Sequence, residues 1–376
     1  MKLRWRSTAL LLLALSLTAM LWACENDTSN VAPTTPQNDV LAAVSAHKAD
    51  FDKAITIHNK HIAEILATKD VAGTAISADA DGKPVITVYT KIQTPPGLLK
   101  KEYEGVRVVE QVTGELRPFK SSGGGSGGQA KQTPPVKMGT SGGWRYDLAN
   151  GYCCGGTLGA LIQKGGVKYV LSNYHVLYAD ITSGGNSRVA TAGDPVIQPG
   201  LIDVSCQAAN AQNVATLVSN GGSLPMGGNA VDVGIAQVTP GMVDETGAIL
   251  NVGTISATTQ AASIGLAVKK MGRTTGLTRS TVSAINGAFS ITYENECAGG
   301  TSFTQSYTNQ IVIANPRCGF QNGGDSGSLL VQDVTTNPRA VGLCFAGSVT
   351  CSRSAIAIAN PIGAVLSWAG ATMVGQ

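Results

Sequence analysis

Charge is scarce in this chain. Only 14% of its 376 residues are Asp, Glu, Lys or Arg, and the formal net charge is +3. So weak a balance gives no reason to expect nucleic acid or a membrane surface as the working partner. Histidine is scarcer still: there are four, and beyond residue 61 there is one, His175. No repeat of fixed period is evident, which argues against a solenoid or propeller. No Cys-x-x-Cys pair occurs, so the cysteines do not read as a zinc site. What is plentiful is glycine, 46 residues, set among short apolar runs punctuated by Ser, Thr and Asn. That pattern predicts strands and turns over most of the length, and the length suffices for two or three cores at roughly 100–200 residues per domain.

The N-terminus reads MKLRWRSTALLLLALSLTAMLWAC. Lys2, Arg4 and Arg6 precede an apolar stretch from Ala9 to Ala23, too short and too terminal for a membrane span, so residues 1–23 read as an export signal. The stretch LWAC resembles a bacterial lipobox, which implies cleavage before Cys24 and a lipid on its sulfur. That lipid would be the chain's sole membrane contact, holding the protein at the cell envelope, with the polar residues 24–38 as a tether. Without the lipid, the chain would be periplasmic or secreted. Export favours disulfides among the seven later cysteines, Cys153, Cys154, Cys206, Cys297, Cys318, Cys344 and Cys351, and their odd number leaves a thiol over. Neighbouring Cys153 and Cys154 would face opposite ways on a strand, one pairing and the other packing as a small apolar group.

From Asp39 to Lys69 apolar residues recur at helical spacing, and strand-like runs follow around an Asp81-Gly82 turn signal. Residues 39–118 therefore read as a small α+β domain. It carries His47, His58 and His61, which lack a supporting carboxylate motif and read as surface or core residues rather than a metal site. Residues 119–143, rich in Gly and Ser and then Pro, read as a flexible linker. From Trp144 to the C-terminus the pattern is mainly β.

Near the C-terminus stands NGGDSGSLLV, Asn322–Val331. A serine hydroxyl is a poor nucleophile unless a base, a group orienting that base, and oxyanion donors converge on it. If Ser326 is activated by an imidazole of its own half of the chain, His175 is the sole candidate. For the orienting acid, Asp232 in GNAVDVGIAQV stands out by its apolar flanks, with Asp203 in GLIDVSC as a rival.

The order His175, Asp232, Ser326, with GDSGS at the serine, resembles the trypsin/chymotrypsin-like serine peptidases. MGRTTGLTRSTVSAI, from Met271, is similar to a strand segment of bacterial extracellular members. GTLGALIQ, YVLSNYHVL, IQPGLIDVSC and GLCFAGS are similar to bacterial relatives of the plant narrow-leaf peptidase. The resemblance covers nearly all of 144–376. It implies two antiparallel six-stranded β-barrels with the site between them, and no cofactor or metal. In that reading Ser326 attacks a peptide carbonyl, His175 shuttles the proton, and Asp232 holds the imidazole. The N–H groups of Gly324 and Ser326 form the oxyanion hole. Arg273 pairs with Asp325 to preform the loop. Phe320 and Gln321 floor the pocket for the residue before the cleaved bond, and Phe345, Ala346 and Gly347 form the substrate-binding strand. With no acid near 320–321, a neutral side chain is expected there. Cys318 is expected to join Cys344 or Cys351 beside the pocket.

There are departures from the family pattern. Ser328 stands where most peptidases carry a second glycine, and the serine hydroxyl that often supports the aspartate is missing from Phe345-Ala346-Gly347. The implied activity is that of an exported serine endopeptidase acting on proteins or peptides. The rival is a catalytically silent barrel protein serving as a surface scaffold. An esterase would need a parallel α/β sheet that this pattern lacks.

Overall fold

The computed structural model describes residues 37–118, 127–149, 152–178, 189–222, 231–293 and 302–376. The expected export signal, Cys24, most of the tether, residues 119–126 and Cys297 lie outside them.

Two helices come first, α1 (Gln37–Ala46) and α2 (Lys48–Leu66). The apolar spacing read from the sequence gives α2 one buried face, with Phe51, Ala54, Ile57 and Ile65, because residues three to four apart share a side of a helix. That face packs on β1 (Val71–Ala78), β2 (Pro84–Thr90), β3 (Glu102–Tyr103) and β4 (Val106–Val112). β1 and β2 form the hairpin around Asp81-Gly82, and β4 lies parallel to β2. A short strand, β5 (Leu116–Pro118), leaves this sheet and pairs elsewhere.

The next strands are β6 (Thr140–Trp144), a small hairpin of β7 (Leu148–Ala149) and β8 (Tyr152–Cys153), β9 (Gly156–Leu158), β10 (Ala160–Lys164), β11 (Val167–Ser172), β12 (Pro195–Gln198), β13 (Gln212–Gly222) and β14 (Gly234–Val238). A short helical turn, α3 (Tyr174–Leu177), follows β11. Hydrogen bonding runs β10-β11-β14-β13-β12-β6-β9. Only Gly159 separates β9 from β10, so these are two halves of one strand and the sheet closes on itself as a six-stranded antiparallel barrel.

After a short hairpin of β15 (Ala248–Ile249) and β16 (Gly253–Thr254) comes a second barrel. It comprises β17 (Ala267–Gly272), β18 (Gly276–Tyr293), β19 (Phe303–Ala314), β20 (Leu329–Gln332), β21 (Ala340–Ser348) and β22 (Ile356–Pro361). The order is β17-β20-β21-β22-β19-β18, and β18 pairs back onto β17. The expected pair of six-stranded barrels is thus present. α4 (Ile362–Ala369) then returns the chain to the first barrel, where β23 (Thr372–Met373) adds to β10.

Two features differ from the expected layout. The α+β segment does not stand apart, because β1 pairs antiparallel with β18 and extends the second barrel's sheet. The 18-residue β18 outruns β17, and the unpaired length is an edge that β1 takes up. The linker also ends early: Val136 and Met138 are fully buried and bridge to Val243 and Ile249. Apolar residues among the prolines pull that stretch onto the first barrel.

Disulfides join Cys153 to Cys206 and Cys318 to Cys351. Cys154 is bonded too, so the expectation that one of the adjacent pair merely packs is overturned. Among the described residues the leftover thiol is the buried Cys344, pushed up to about 12 by burial.

His58 ties the α+β segment to the second barrel. It is fully buried, with Nε2 3.1 Å from Thr74 Oγ1 on β1 and Nδ1 3.0 Å from Asn286 Nδ2 on β18. The amide nitrogen can only donate, so Nδ1 accepts and Nε2–H donates to the threonine. Burial lowers the imidazole to about 4, against about 6.5 in an unfolded chain. The unfolded chain therefore binds the proton first as pH falls, and stability present above pH 6.5 is lost progressively toward pH 4, by up to about 3 kcal/mol. Urea unfolding at pH 7 and pH 4.5 should reveal that loss, and His58→Asn should lose less between the two.

Candidate active site between the barrels

His175 lies in α3 just past the end of β11, and Asp232 lies just before β14. β11 and β14 are hydrogen-bonded neighbours with Ser172 opposite Gly234, so strand pairing alone brings the two side chains together. Asp232 is fully buried. Its Oδ2 accepts from His175 Nδ1 at 2.6 Å, and its Oδ1 accepts from the Tyr174 N–H at 2.8 Å. The main chain of Asp232 is clamped as well: its N–H donates to Asn360 Oδ1 at 2.9 Å and its carbonyl accepts from Asn173 Nδ2 at 2.7 Å. Because Nδ1 donates, Nε2 carries the lone pair. Nε2 is buried and has no hydrogen-bond partner among the described residues.

A further donor on Asp232 was not foreseen from the sequence. The Tyr293 phenol, at the end of β18, donates to Oδ2 at 2.8 Å and is hydrogen-bonded to the Tyr307 phenol of β19. Burial first, and the Asp232 charge second, push both phenols well above their ordinary range, so they stay protonated. Tyr293 thus gives Asp232 Oδ2 a hydroxyl donor of its own. The one hint was an inward position in the alternation Phe289, Ile291, Tyr293, which also reads as plain core.

Ser326 sits in the loop before β20. Its carbonyl accepts from the Thr157 N–H at 2.8 Å, and its Oγ donates to the Phe345 carbonyl at 3.0 Å. Gly327 has φ +89, and a Cβ there would fall 2.1 Å from Ser172 Oγ and 2.3 Å from the Thr157 carbonyl. No other residue fits. Ser172 closes the strand that leads into His175, so the Ser326 loop docks against the His175 support. Gly324 has φ +92 and is as tightly enclosed, with Thr274 Oγ1 2.5 Å from a would-be Cβ. Thr157 Oγ1 holds the Gly324 carbonyl at 2.9 Å, and Thr274 Oγ1 holds that of Gly323. In a trans peptide N–H opposes C=O, so the Gly324 N–H points away from Thr274.

The expected Arg273–Asp325 pair is not what forms. Fully buried Asp325 takes Lys270, Nζ to Oδ2 at 3.2 Å. The Gly272–Gly276 turn supplies the N–H groups of Thr274 and Thr275 at 2.8 and 3.1 Å and the Thr275 hydroxyl at 2.7 Å. Arg273 instead forks onto Asp203, Nη2 to Oδ1 at 2.6 Å and Nε to Oδ2 at 2.9 Å. The reason is strand parity. Lys270 and Gly272 share one face of β17, and the missing side chain at Gly272 makes room for Asp325, whose Oδ1 is 2.4 Å from a would-be Cβ. Arg273 begins the turn and crosses to the first barrel. Asp203, the rival for the orienting acid, is thereby committed to Arg273.

Phe345, Ala346 and Gly347 lie on β21 beside Ser326, all buried. Their edge is occupied: Ala346 faces Pro118 and Gly347 faces Arg117 of β5. Phe320 packs in the second barrel's core, with the Lys270 ammonium 5.7 Å from its ring centre. Gln321 is fully buried, its main chain clamped by Asn315, and both polar atoms of its side chain are unpartnered among the described residues.

Removing one partner of a buried ion pair typically costs about 3–5 kcal/mol because the other charge is stranded. Lys270→Met should lower unfolding free energy by about that amount. Lys270→Met with Asp325→Asn should recover a large share, a double-mutant cycle read by urea unfolding at pH 7.

Residues 205–374 match the family described as the Nal1 C-terminal domain. None of the curated proteins compared matches the chain. Among solved structures the chain is similar to a glutamic-acid-specific serine protease (20% identity, 63% of this chain and 100% of that one, TM-score 0.42). It is also similar to Cellulomonas bogoriensis chymotrypsin (20% identity, 64% and 99%, TM-score 0.41) and to Thermobifida fusca protease A (18% identity, 64% and 99%, TM-score 0.38).

Proposed function

We propose that this protein is a serine endopeptidase with His175, Asp232 and Ser326 as its triad. The observation that carries the reading is the His175–Asp232 pair: a buried imidazole locked in one tautomer by a 2.6 Å bond, its other nitrogen left as an unpartnered base. In the reaction, the Ser326 hydroxyl leaves the Phe345 carbonyl, rotates toward His175 Nε2 and attacks the scissile carbonyl as Nε2 takes its proton. His175 then returns that proton to the leaving amine, and the acyl-enzyme is hydrolysed by water in the reverse sense. Asp232, with Tyr293 and the Tyr174 N–H on its oxygens, stabilises the imidazolium. The N–H groups of Gly324 and Ser326 receive the oxyanion; the anchored Gly323 carbonyl supports the orientation of the first, and the Asp325 carbonyl, which accepts from the Ser328 N–H at 3.0 Å, that of the second.

The substrate is an extended peptide or protein segment. The residue before the cleaved bond is neutral, since Gln321 brings no charge and has an amide to offer, while Phe320, expected beside it, is turned into the barrel core. The disulfides fit an exported protein, and in this reading a lipid on Cys24 holds it at the cell envelope.

One observation favours the silent-scaffold alternative: Ser326 Oγ is engaged by the Phe345 carbonyl. A fluorophosphonate probe separates the two. It should label the oxidised protein at Ser326 and lose all labelling in Ser326→Ala; an intact protein that takes no label is a scaffold.

Tyr293→Phe removes one hydrogen bond to a buried carboxylate, worth about 1.5–3 kcal/mol. It should lower kcat at least about tenfold with KM nearly unchanged, as expected when the loss falls on the transition state.

A further inference from the structure

The edge of β21 next to Ser326 is occupied by the chain's own segment. Going along β21, Cys344 exchanges backbone bonds with the Ser326 loop: Gly327 N–H donates to its carbonyl at 2.9 Å, and its N–H donates to the Ser328 carbonyl at 3.0 Å. Past Cys344 that loop no longer follows, while β22 covers the opposite side, with Ala346 facing Ile358 and Gly347 facing Ala357. The free edge at 346–348 is therefore where a peptide entering the site would add as a strand. β5 already lies there, antiparallel: Pro118 on Ala346, Arg117 on Gly347 and Leu116 on Ser348. The Val349 N–H donates to the Glu115 carbonyl at 3.0 Å. Bonded pairs alternate along an antiparallel ladder, so Arg117 and Gly347 are the next pair to exchange N–H and C=O.

Side chains hold the segment as firmly as the ladder. Leu116 is 3% exposed and lies in the same apolar cluster as Phe345, Ala346, Tyr293 and Tyr307. Just upstream, Ser354 Oγ donates to the Val112 carbonyl, and Gln111 Nε2 donates to the Ser354 carbonyl at 2.8 Å.

We infer that Leu116–Pro118 is a built-in pseudosubstrate strand, and that the full chain is a latent form whose peptide-binding edge is blocked in cis. This rests on the peptidase reading above, and it assigns to the α+β segment the role of clamping the blocking strand. An extended peptide must displace β5 to bind, whereas a small reagent that uses only Ser326 and His175 needs no strand pairing.

The full-chain protein and two variants test it. Arg117→Pro deletes the N–H that pairs with Gly347, and with it goes the side-chain ion pair to the exposed Glu115. Leu116→Asp expels the apolar anchor. Each is assayed with a fluorophosphonate probe and with an extended chromogenic peptide. Arg117→Pro should raise kcat/KM for the peptide at least about fivefold, the factor one lost backbone hydrogen bond supplies, and Leu116→Asp should raise it further. Probe labelling should change far less in both. Probe labelling with peptide turnover within twofold of the parent in Arg117→Pro overturns the pseudosubstrate strand and leaves the peptidase standing. Absence of labelling in all three proteins overturns the peptidase reading, and this inference falls with it.

Discussion

The buried carboxylate of Asp232 is the constraint on which the site depends. A charge with no access to water must be met by donors, and here they come from both barrels. Tyr174 and His175 belong to the first barrel and Tyr293 to the second, whose Asn360 also accepts from the Asp232 main-chain N–H. Satisfying this one group therefore fixes the imidazole tautomer and the register of the two barrels together. Were the barrels to slide, the carboxylate would lose Tyr293, and its main-chain N–H would lose Asn360.

The same logic operates on the far side of the Ser326 loop. Asp325 and Asp203 are two more buried or nearly buried carboxylates, and Lys270 and Arg273 are the cations that meet them. The division of labour suits the cations' chemistry. Arg273 presents a planar fork and takes a bidentate carboxylate across the barrel interface. Lys270, a compact charge, fits against a carboxylate already crowded by two turn N–H groups and a hydroxyl. Thr157 links the two systems, accepting from the Arg273 N–H at 2.9 Å and donating to the Gly324 carbonyl. The loop glycines are thus held from the first barrel and from the Gly272–Gly276 turn at once.

Much of this was legible in the sequence where chemistry restricts residue type. A turn needing φ > 0 on either side of a serine demands glycines, and a single histidine beyond residue 61 leaves no choice of partner. An aspartate flanked by valines announces burial. Legibility failed where the deciding fact was geometric. Tyr293 on an inward strand position looks like any core aromatic until a carboxylate is found beside it. The exchange of cations on Asp325 turned on strand parity, which Lys270 and Gly272 carried openly but which motif similarity overrode. Docking of the α+β segment was invisible, because the pairing of β1 with β18 joins residues some two hundred positions apart, and no local pattern records which open edge a strand will choose.

Those edge pairings have a common cause. A closed barrel hides its edges, but a barrel strand that outruns its neighbour exposes unpaired N–H and C=O groups. Both places where this occurs near the site, β18 beyond β17 and β21 beyond the Ser326 loop, are filled by the N-terminal segment, through β1 and β5. A peptidase that binds substrate as an added strand must keep one such edge available, and an available edge also invites aggregation. In the peptidase reading proposed above, covering it with a strand from the same chain meets both demands, because the cover is bonded as an added substrate strand would be. The strength of that cover lies less in three ladder residues than in α2, His58 and the β1–β18 pairing, which hold β5 in place from the other end of the segment.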